Sequence, residues 1–250
     1  MARATIELRI RRQDTPSAAP RWEEFALPWT PGANVISCLM EIRKHPVTKQ
    51  GRATTPVSWD CSCLEEVCGA CTMLVNGRPR QSCTALVDGL PDGVITLAPL
   101  TKFPVVRDLI VDRQDMFDAL RRVQAWIPVD GSHDLGPGPK LAADVAAEAY
   151  RFARCMTCGC CMEACPQYNE RSEFIGPAPL AQVRLFNAHP TGAMNAHERL
   201  DAIMGSGGIE DCGNAQNCVE VCPKEIPLTE AFGELGRQTL RHGLRRLLGR

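Results

Sequence analysis

The chain lacks a charge excess. Its 250 residues hold 28 Lys and Arg against 29 Asp and Glu, a net charge of −1. Nucleic-acid binders usually carry a strongly basic domain or stripe, so the balance argues against that class. A long apolar run is also missing: no stretch approaches the roughly 18 residues a membrane span needs. The N-terminus, MARATIELRIRRQD, alternates polar and apolar residues without the apolar core of a signal peptide. The expectation is a protein made and kept in the cytoplasm. No G-x-G-x-x-G follows a strand and no P-loop is present, so no nucleotide fingerprint is visible. The histidines, at 45, 133, 189, 197 and 242, are scattered and form no catalytic constellation. No catalytic residue is assigned, and substrate chemistry is expected on a partner.

What the chain has is cysteine, 14 in all. A disulfide framework suits small secreted domains rather than a cytosolic chain of this length. Metal or redox chemistry is the better reading. The cysteines fall into two groups, 61 to 83 and 155 to 222, with Cys38 apart. That separation predicts two domains with separate metal chemistry, placed at 1–105 and 106–250.

Local patterning fits this division. Ile6, Leu8 and Ile10 alternate with Glu7 and Arg9, a half-buried strand. Residues 21–27 could pair with it. Asn34 reads as an N-cap, with Val35, Leu39 and Ile42 at helical spacing behind it. Residues 72–75 read as a strand entering the hairpin signal Asn76-Gly77, where both residues tolerate positive φ. Residues 94–97 form a further strand. The result is a small mixed sheet crossed by one helix. Beyond Phe103-Pro104, Met116, Phe117, Leu120 and Val123 are helically spaced. Residues 131–140 form a Gly- and Pro-rich loop, and helices are predicted over 141–154 and 179–187. The second half is helix and cysteine loop.

In the first group, Cys63, Cys68 and Cys71 give C-x4-C-x2-C, and Cys83 follows twelve residues later. This is the plant-type [2Fe–2S] spacing. Three thiolates on one tight loop can surround a small cluster, and a fourth from beyond the hairpin closes it. Gly69 and Ala70 leave room for backbone N–H groups to approach the sulfurs, and such bonds tune the potential. The competing reading is zinc, which prefers paired C-x2-C knuckles that this spacing does not supply. Cys61 is an alternative first ligand with a poorer spacing, and is read as either a buried thiol or one lying just outside the cluster's ligands. Cys38 is read as a small core residue.

The second group carries Cys155, Cys158, Cys161 and Cys165 before Pro166, which is C-x2-C-x2-C-x3-C-P. The spacing recurs as Cys212, Ala215, Cys218 and Cys222 before Pro223, with alanine where the rhythm asks for cysteine. In two-cluster bacterial ferredoxins the fourth cysteine of each motif serves the other cluster. That crossing assigns Cys155, Cys158, Cys161 and Cys222 to a [4Fe–4S] cubane. Cys165, Cys212 and Cys218 remain for the other cluster. A methyl group cannot ligate iron, so the corner iron at Ala215 is lost and [3Fe–4S] remains. The alternative is a cubane whose fourth iron is held by water or a carboxylate, Asp211 being nearest in sequence. Cys160 would break the spacing and is left as a spare.

Clusters in series make a wire for single electrons. Their order here, with Cys212-x5-Cys218-x3-Cys222-Pro223-Lys224 and PVVRDLIVD at 104–112, resembles the iron–sulfur subunit of succinate dehydrogenase and fumarate reductase over nearly the whole chain. The resemblance implies an α+β protein: an N-terminal plant-type ferredoxin (β-grasp) domain and a C-terminal all-α domain like the bacterial ferredoxins. It implies a flavoprotein partner with covalent FAD that oxidises succinate or reduces fumarate. Electrons would enter at the [2Fe–2S] cluster, pass to the cubane and leave from the three-iron cluster. A membrane-anchor cytochrome b subunit with haem b would offer quinone, with the chain peripheral on the cytoplasmic face of the cell membrane. Some members carry a Trp after the cysteine matching Cys165 and a His after that matching Cys212. Here Tyr168 and Gly213 do not supply them, which puts a quinone site beside that cluster in doubt. SCLEEVCGAC and FNAHPTGAMN look more like the branch with a single di-haem anchor, often using menaquinone. A thiol- or heterodisulfide-linked reductase is the rival. The C-terminal RQTLRHGLRRLLGR sets Leu240, Leu244, Leu247 and Leu248 as an apolar stripe among arginines. It is read either as a solvated helix or as a basic face toward lipid or the anchor.

Overall fold

The computed structural model describes residues 5–127 and 140–249. The loop expected at 131–139, with His133, lies outside them. The chain divides into two compact units. One holds Met1–Arg113 with Met156–Glu163, and the other Gln114–Cys155 with Ala164–Arg250.

The first unit is built on a five-stranded sheet. Strand β1 (Thr5–Arg12) pairs antiparallel with β2 (Arg21–Pro28) over its whole length. The alternation of β1 sends Ile6, Leu8 and Ile10 into the core. Helix α1 (Val35–Lys44) starts at Asn34, whose Oδ1 accepts from the Ser37 N–H at 2.8 Å while Ser37 Oγ accepts from the Asn34 N–H at 3.0 Å. This reciprocal cap satisfies two donors that the first turn would otherwise leave free. Its buried face of Val35, Ile36, Cys38, Leu39 and Ile42 belongs to the sheet's core cluster. Cys38 is a core residue, as its position predicts, and burial pushes its thiol up to about 11.

Strands β3 (Thr72–Val75) and β4 (Arg78–Gln81) form the hairpin around Asn76 and Gly77, with φ of 50° and 76°. Strand β5 (Ile95–Ala98) sits between β1 and β3, parallel to the first and antiparallel to the second. The order is β2-β1-β5-β3-β4. A two-stranded ribbon, β6 (Val105–Arg107) and β7 (Ile110–Val111), follows. Its turn residue Asp108 is fully buried and pairs with Arg12 at 3.0 Å, and Arg12 also pairs with buried Glu23 at 2.5 Å. Removing a guanidinium from between two buried carboxylates costs about 3–5 kcal/mol.

The other unit is helical: α2 (Gln114–Arg122), α3 (Ala143–Ala153), the short α4 (Cys160–Ala164) that begins in the first unit, α5 (Pro177–Ala188), α6 (Ala196–Ile203), the four-residue α7 (Asn217–Glu220) and α8 (Leu228–Leu247). Helix α5 opens with Pro177 after Gly176, where a missing N–H costs nothing. Val123, Phe174, Leu180, Val183, Ile203 and Leu235 form its core. Fully buried Arg199 donates to the carbonyls of Gln124, Trp126 and Gly192 at 3.0, 2.7 and 2.8 Å. No helix among the described residues is long and apolar enough to cross a membrane.

Candidate metal centres

The loop from Cys63 to Cys71 is curled by left-handed backbone at Leu64, Glu66 and Gly69. Left-handed φ costs an ordinary L-residue about 1–2 kcal/mol, so two such residues close together mark a conformation kept for a purpose. The result is a nest of N–H groups. Glu65, Val67 and Cys68 donate to Cys63 Sγ at 3.5, 3.3 and 3.3 Å, and Ala70 donates to Cys68 Sγ at 3.5 Å. The Glu65 and Val67 N–H groups hold the Cys63 thiol down to about 7. Such a nest favours thiolate, the form that binds iron.

The β3–β4 hairpin supplies the other half. Thr72 opposes Gln81 in its register, and the Ser82 N–H donates to the Cys71 carbonyl at 3.2 Å. Cys71 and Cys83, both buried, therefore stand side by side at the hairpin's open end. Burial pushes the Cys71 thiol up to about 12, and the Cys83 sulfur beside it adds to the rise. A buried thiol that resists ionising, as that of Cys71 does, needs a cationic partner to become a ligand. The Ser82 hydroxyl next to Cys83 is buried with no hydrogen-bond partner among the described residues. Leaving such a group unpaired costs about 1–3 kcal/mol, and cluster sulfides are acceptors of the kind it wants. The donor set fits a [2Fe–2S] cluster.

Cys61 is not the buried thiol that one of its two readings expects. It is exposed rather than buried. It precedes the curled segment and receives none of the N–H groups that converge on Cys63.

Segment 156–163 packs within the first unit. Gly159, with φ of 87°, lies against Phe103 and Leu100. Buried Glu163 accepts from the Thr101 N–H at 2.9 Å, the Thr101 hydroxyl at 2.6 Å and the Lys102 N–H at 3.1 Å. These bonds hold Cys158, Cys160 and Cys161 in place. Cys160, the spare, is completely buried, and Gln81 Nε2 donates to its Sγ at 3.8 Å. Hydrogen bonding to Cys158 and burial push the Cys160 thiol far up, so it keeps its proton. The same bond, made from Cys160, holds the Cys158 thiol down at about 7 against burial. Of the cubane's sequence-assigned ligands, Cys158 and Cys161 belong to the first unit. Cys155, after α3, and Cys222, which accepts from the Ile226 N–H at 3.5 Å, belong to the second.

The second unit carries a pocket of its own. Cys165, Cys212 and Cys218 line it, together with Ala215, Asn214 and Gln216. It encloses about 330 Å³ of atom-free space, partly open to solvent. Asn214 and Gln216 are left-handed, with φ of 51° and 65°, and turn the backbone around Ala215. Burial, then the neighbouring Cys165 and Cys212 sulfurs, push the Cys218 thiol up to about 11. Such a thiol between two others suits a cationic cluster, and the alanine methyl lines the same pocket. The donor set fits a three-iron core. A Cβ at Gly213 would lie 2.5 Å from Gln167 Nε2, so the glutamine amide fills the space beside that glycine. Tyr168 packs half-buried against the second core.

Among the described residues, no three Cys, His, Asp or Glu side chains converge on one ion-sized point. Cluster ligands are spread in this way because they serve several irons: two thiolates to each iron of a [2Fe–2S] cluster, and one to each iron of a cubane or three-iron cluster.

Sequence comparisons agree with this geometry. Residues 7–118 match the 2Fe-2S iron-sulfur cluster binding domain family, and residues 151–226 the 4Fe-4S dicluster domain family. The chain is 58% identical to the succinate dehydrogenase iron-sulfur subunit of Bacillus subtilis over 98% of this chain and 96% of that protein. It is 31% identical to the fumarate reductase iron-sulfur subunit of Wolinella succinogenes over 93% and 96%. A chain in the structure of the Mycobacterium smegmatis Sdh1 complex in the apo form superimposes with a TM-score of 0.80 at 23% identity, covering 95% of this chain and 96% of that one. At that identity the likeness concerns the fold.

Proposed function

The chain belongs to the family of succinate dehydrogenase and fumarate reductase iron–sulfur subunits, and on that premise we propose a ligand set and a direction of electron flow through it. The protein is the electron-transfer subunit of a complex II enzyme, working between a flavoprotein and a membrane anchor and carrying [2Fe–2S], [4Fe–4S] and [3Fe–4S] clusters. Cys63, Cys68, Cys71 and Cys83 hold the first cluster. Cys155, Cys158, Cys161 and Cys222 hold the cubane, as the crossed spacing of the two motifs requires. Cys165, Cys212 and Cys218 hold the three-iron cluster. The observation that supports this reading best is the Ala215 methyl in the same pocket as those three sulfurs. The domain division at 105/106 remains part of the proposal.

The clusters supply one-electron steps when bound. The protein's own contribution is to hold the thiolates, aim N–H groups at their sulfurs and exclude water. Hydrogen bonds such as those onto Cys63 favour the more negative, reduced state and so raise a cluster's potential.

Succinate oxidation coupled to quinone reduction is the favoured direction. The anchor is a single di-haem cytochrome b using menaquinone, and the chain is peripheral on the cytoplasmic face of the membrane. Leu240, Leu244, Leu247 and Leu248 along and just past α8 are exposed, which supports this end as the contact with anchor or lipid. Part of its positive charge is already matched, because Arg246 pairs with Asp201 at 2.7 Å, and His242 Nε2 shares the same carboxylate at 2.9 Å. The assembled complex tests the reading. Succinate should reduce the three-iron cluster while thiol donors should not, and the fully reduced complex should show two haems. One haem or none would contradict the anchor assignment, and reduction by thiols alone would favour the rival enzyme class.

A further inference from the structure

The loops carrying the first two clusters touch at one backbone contact, and one side chain holds both. A Cβ at Gly69 would lie 2.9 Å from Cys158 Cα and 2.9 Å from the Met156 carbonyl oxygen. The loops approach this closely because residue 69 has no side chain. At the same place, Arg113 Nη1 donates to the Gly69 carbonyl at 3.0 Å and to the Cys158 carbonyl at 3.1 Å. Gly69 follows one assigned ligand of the first cluster, and Cys158 is itself an assigned ligand of the cubane. The guanidinium is half-buried and keeps its charge at any physiological pH. A fixed cation beside a cluster favours the state with one more electron, and partial burial weakens solvent screening of that effect.

Resting on the cluster assignment above, we infer that Arg113 is a positioning residue of the electron path, clamping the [2Fe–2S] loop to the cubane loop and raising the cubane's potential. In the step it serves, one ferrous iron of the reduced [2Fe–2S] cluster becomes ferric. The electron converts [4Fe–4S]²⁺ to [4Fe–4S]⁺. No bond forms or breaks and no proton moves.

The test is a potentiometric titration followed by EPR on the whole membrane complex, comparing wild type with Arg113→Gln, Arg113→Met and Arg113→Lys. Two neutral variants are included so that misfolding of one leaves the comparison intact. The neutral variants should retain all three cluster signals, with the cubane midpoint shifted to lower potential. Lysine, which keeps the charge, should restore most of the shift. Neutral variants that titrate with the wild type would overturn the inference. So would a lysine variant that titrates with the neutral ones, because the loss would then follow packing rather than charge. Absence of cluster signals from the wild type would instead overturn the cluster assignment.

Discussion

Gly69→Ala is a sharp test of the contact between the loops, because a matched control exists in the same unit. Gly69 and Gly77 have nearly equal backbone angles, with φ of +75° and +76°. An alanine at either site bears the same left-handed cost, about 1–2 kcal/mol. The surroundings differ. Nothing lies within 4 Å of a Cβ at 77, whereas a Cβ at 69 would meet the Cys158 backbone and the Met156 carbonyl at 2.9 Å. Those are backbone atoms, which cannot swing aside as a side chain does, so overpacking adds about 1–3 kcal/mol. Gly69→Ala should therefore lose about 2–5 kcal/mol, and Gly77→Ala about 1–2. Hydrogen exchange in the assembled complex reads the difference directly, since local opening equilibria set the rates. Amides in β3 and in segment 156–160 should exchange roughly five- to 150-fold faster in Gly69→Ala than in Gly77→Ala, the factor that 1–3 kcal/mol implies. Equal exchange in the two variants would mean that the loops do not meet at this glycine.

Other expectations follow from the same structure. Arg12→Met should destabilise the first unit by about 3–5 kcal/mol, and adding Glu23→Gln with Asp108→Asn should recover most of that in denaturant titrations. No recovery would show that the lost packing, not the orphaned carboxylates, carries the cost. Ala215→Cys should add an iron to the pocket of Cys165, Cys212 and Cys218, lower that centre's potential and reduce the EPR signal of the oxidised protein. Unchanged iron content and signal would count against the ligand set. The Asp201 carboxyl is held below its usual range, first by the bond from His242 and then by Arg246. A depressed carboxylate contributes stability that is present above its unfolded pKa and lost as pH falls through the folded one. Hydrogen exchange in the last turns of α8 should therefore quicken as pH drops below about 4, after correction for intrinsic rates, and Asp201→Asn should abolish that dependence.

Much of this was legible in the sequence, for local reasons. Strand β1 announces itself by alternation, and α1 by a capping residue with apolar spacing behind it. The Asn76-Gly77 hairpin needs only two residues to be recognised. Cysteine spacing carries chemistry because a cluster's size fixes how far apart its ligands stand on a loop. The features that escaped depend on distant partners. Nothing near Asp108 signals that its carboxylate closes a buried pair with Arg12 across 96 residues. Arg113 reads as one more surface arginine until Gly69 and Cys158 are placed beside it. Spacing alone leaves Cys61 as either a buried thiol or one just outside the ligands. The left-handed turns at Leu64 and Glu66 aim the loop's N–H groups at Cys63, and Cys61 remains in solvent. Ribbon β6–β7 is too short for its periodicity to register.

The central claim is that the wire ends at a cluster one iron short because residue 215 is alanine. EPR of the air-oxidised complex, with iron counted on the same sample, tests it most directly. An oxidised [3Fe–4S] centre is paramagnetic, whereas [2Fe–2S]²⁺ and [4Fe–4S]²⁺ are silent. The account predicts a strong three-iron signal that disappears when succinate is added. An oxidised spectrum that shows only the ferric haems and no three-iron signal, with a full cubane's iron at that site, would contradict it.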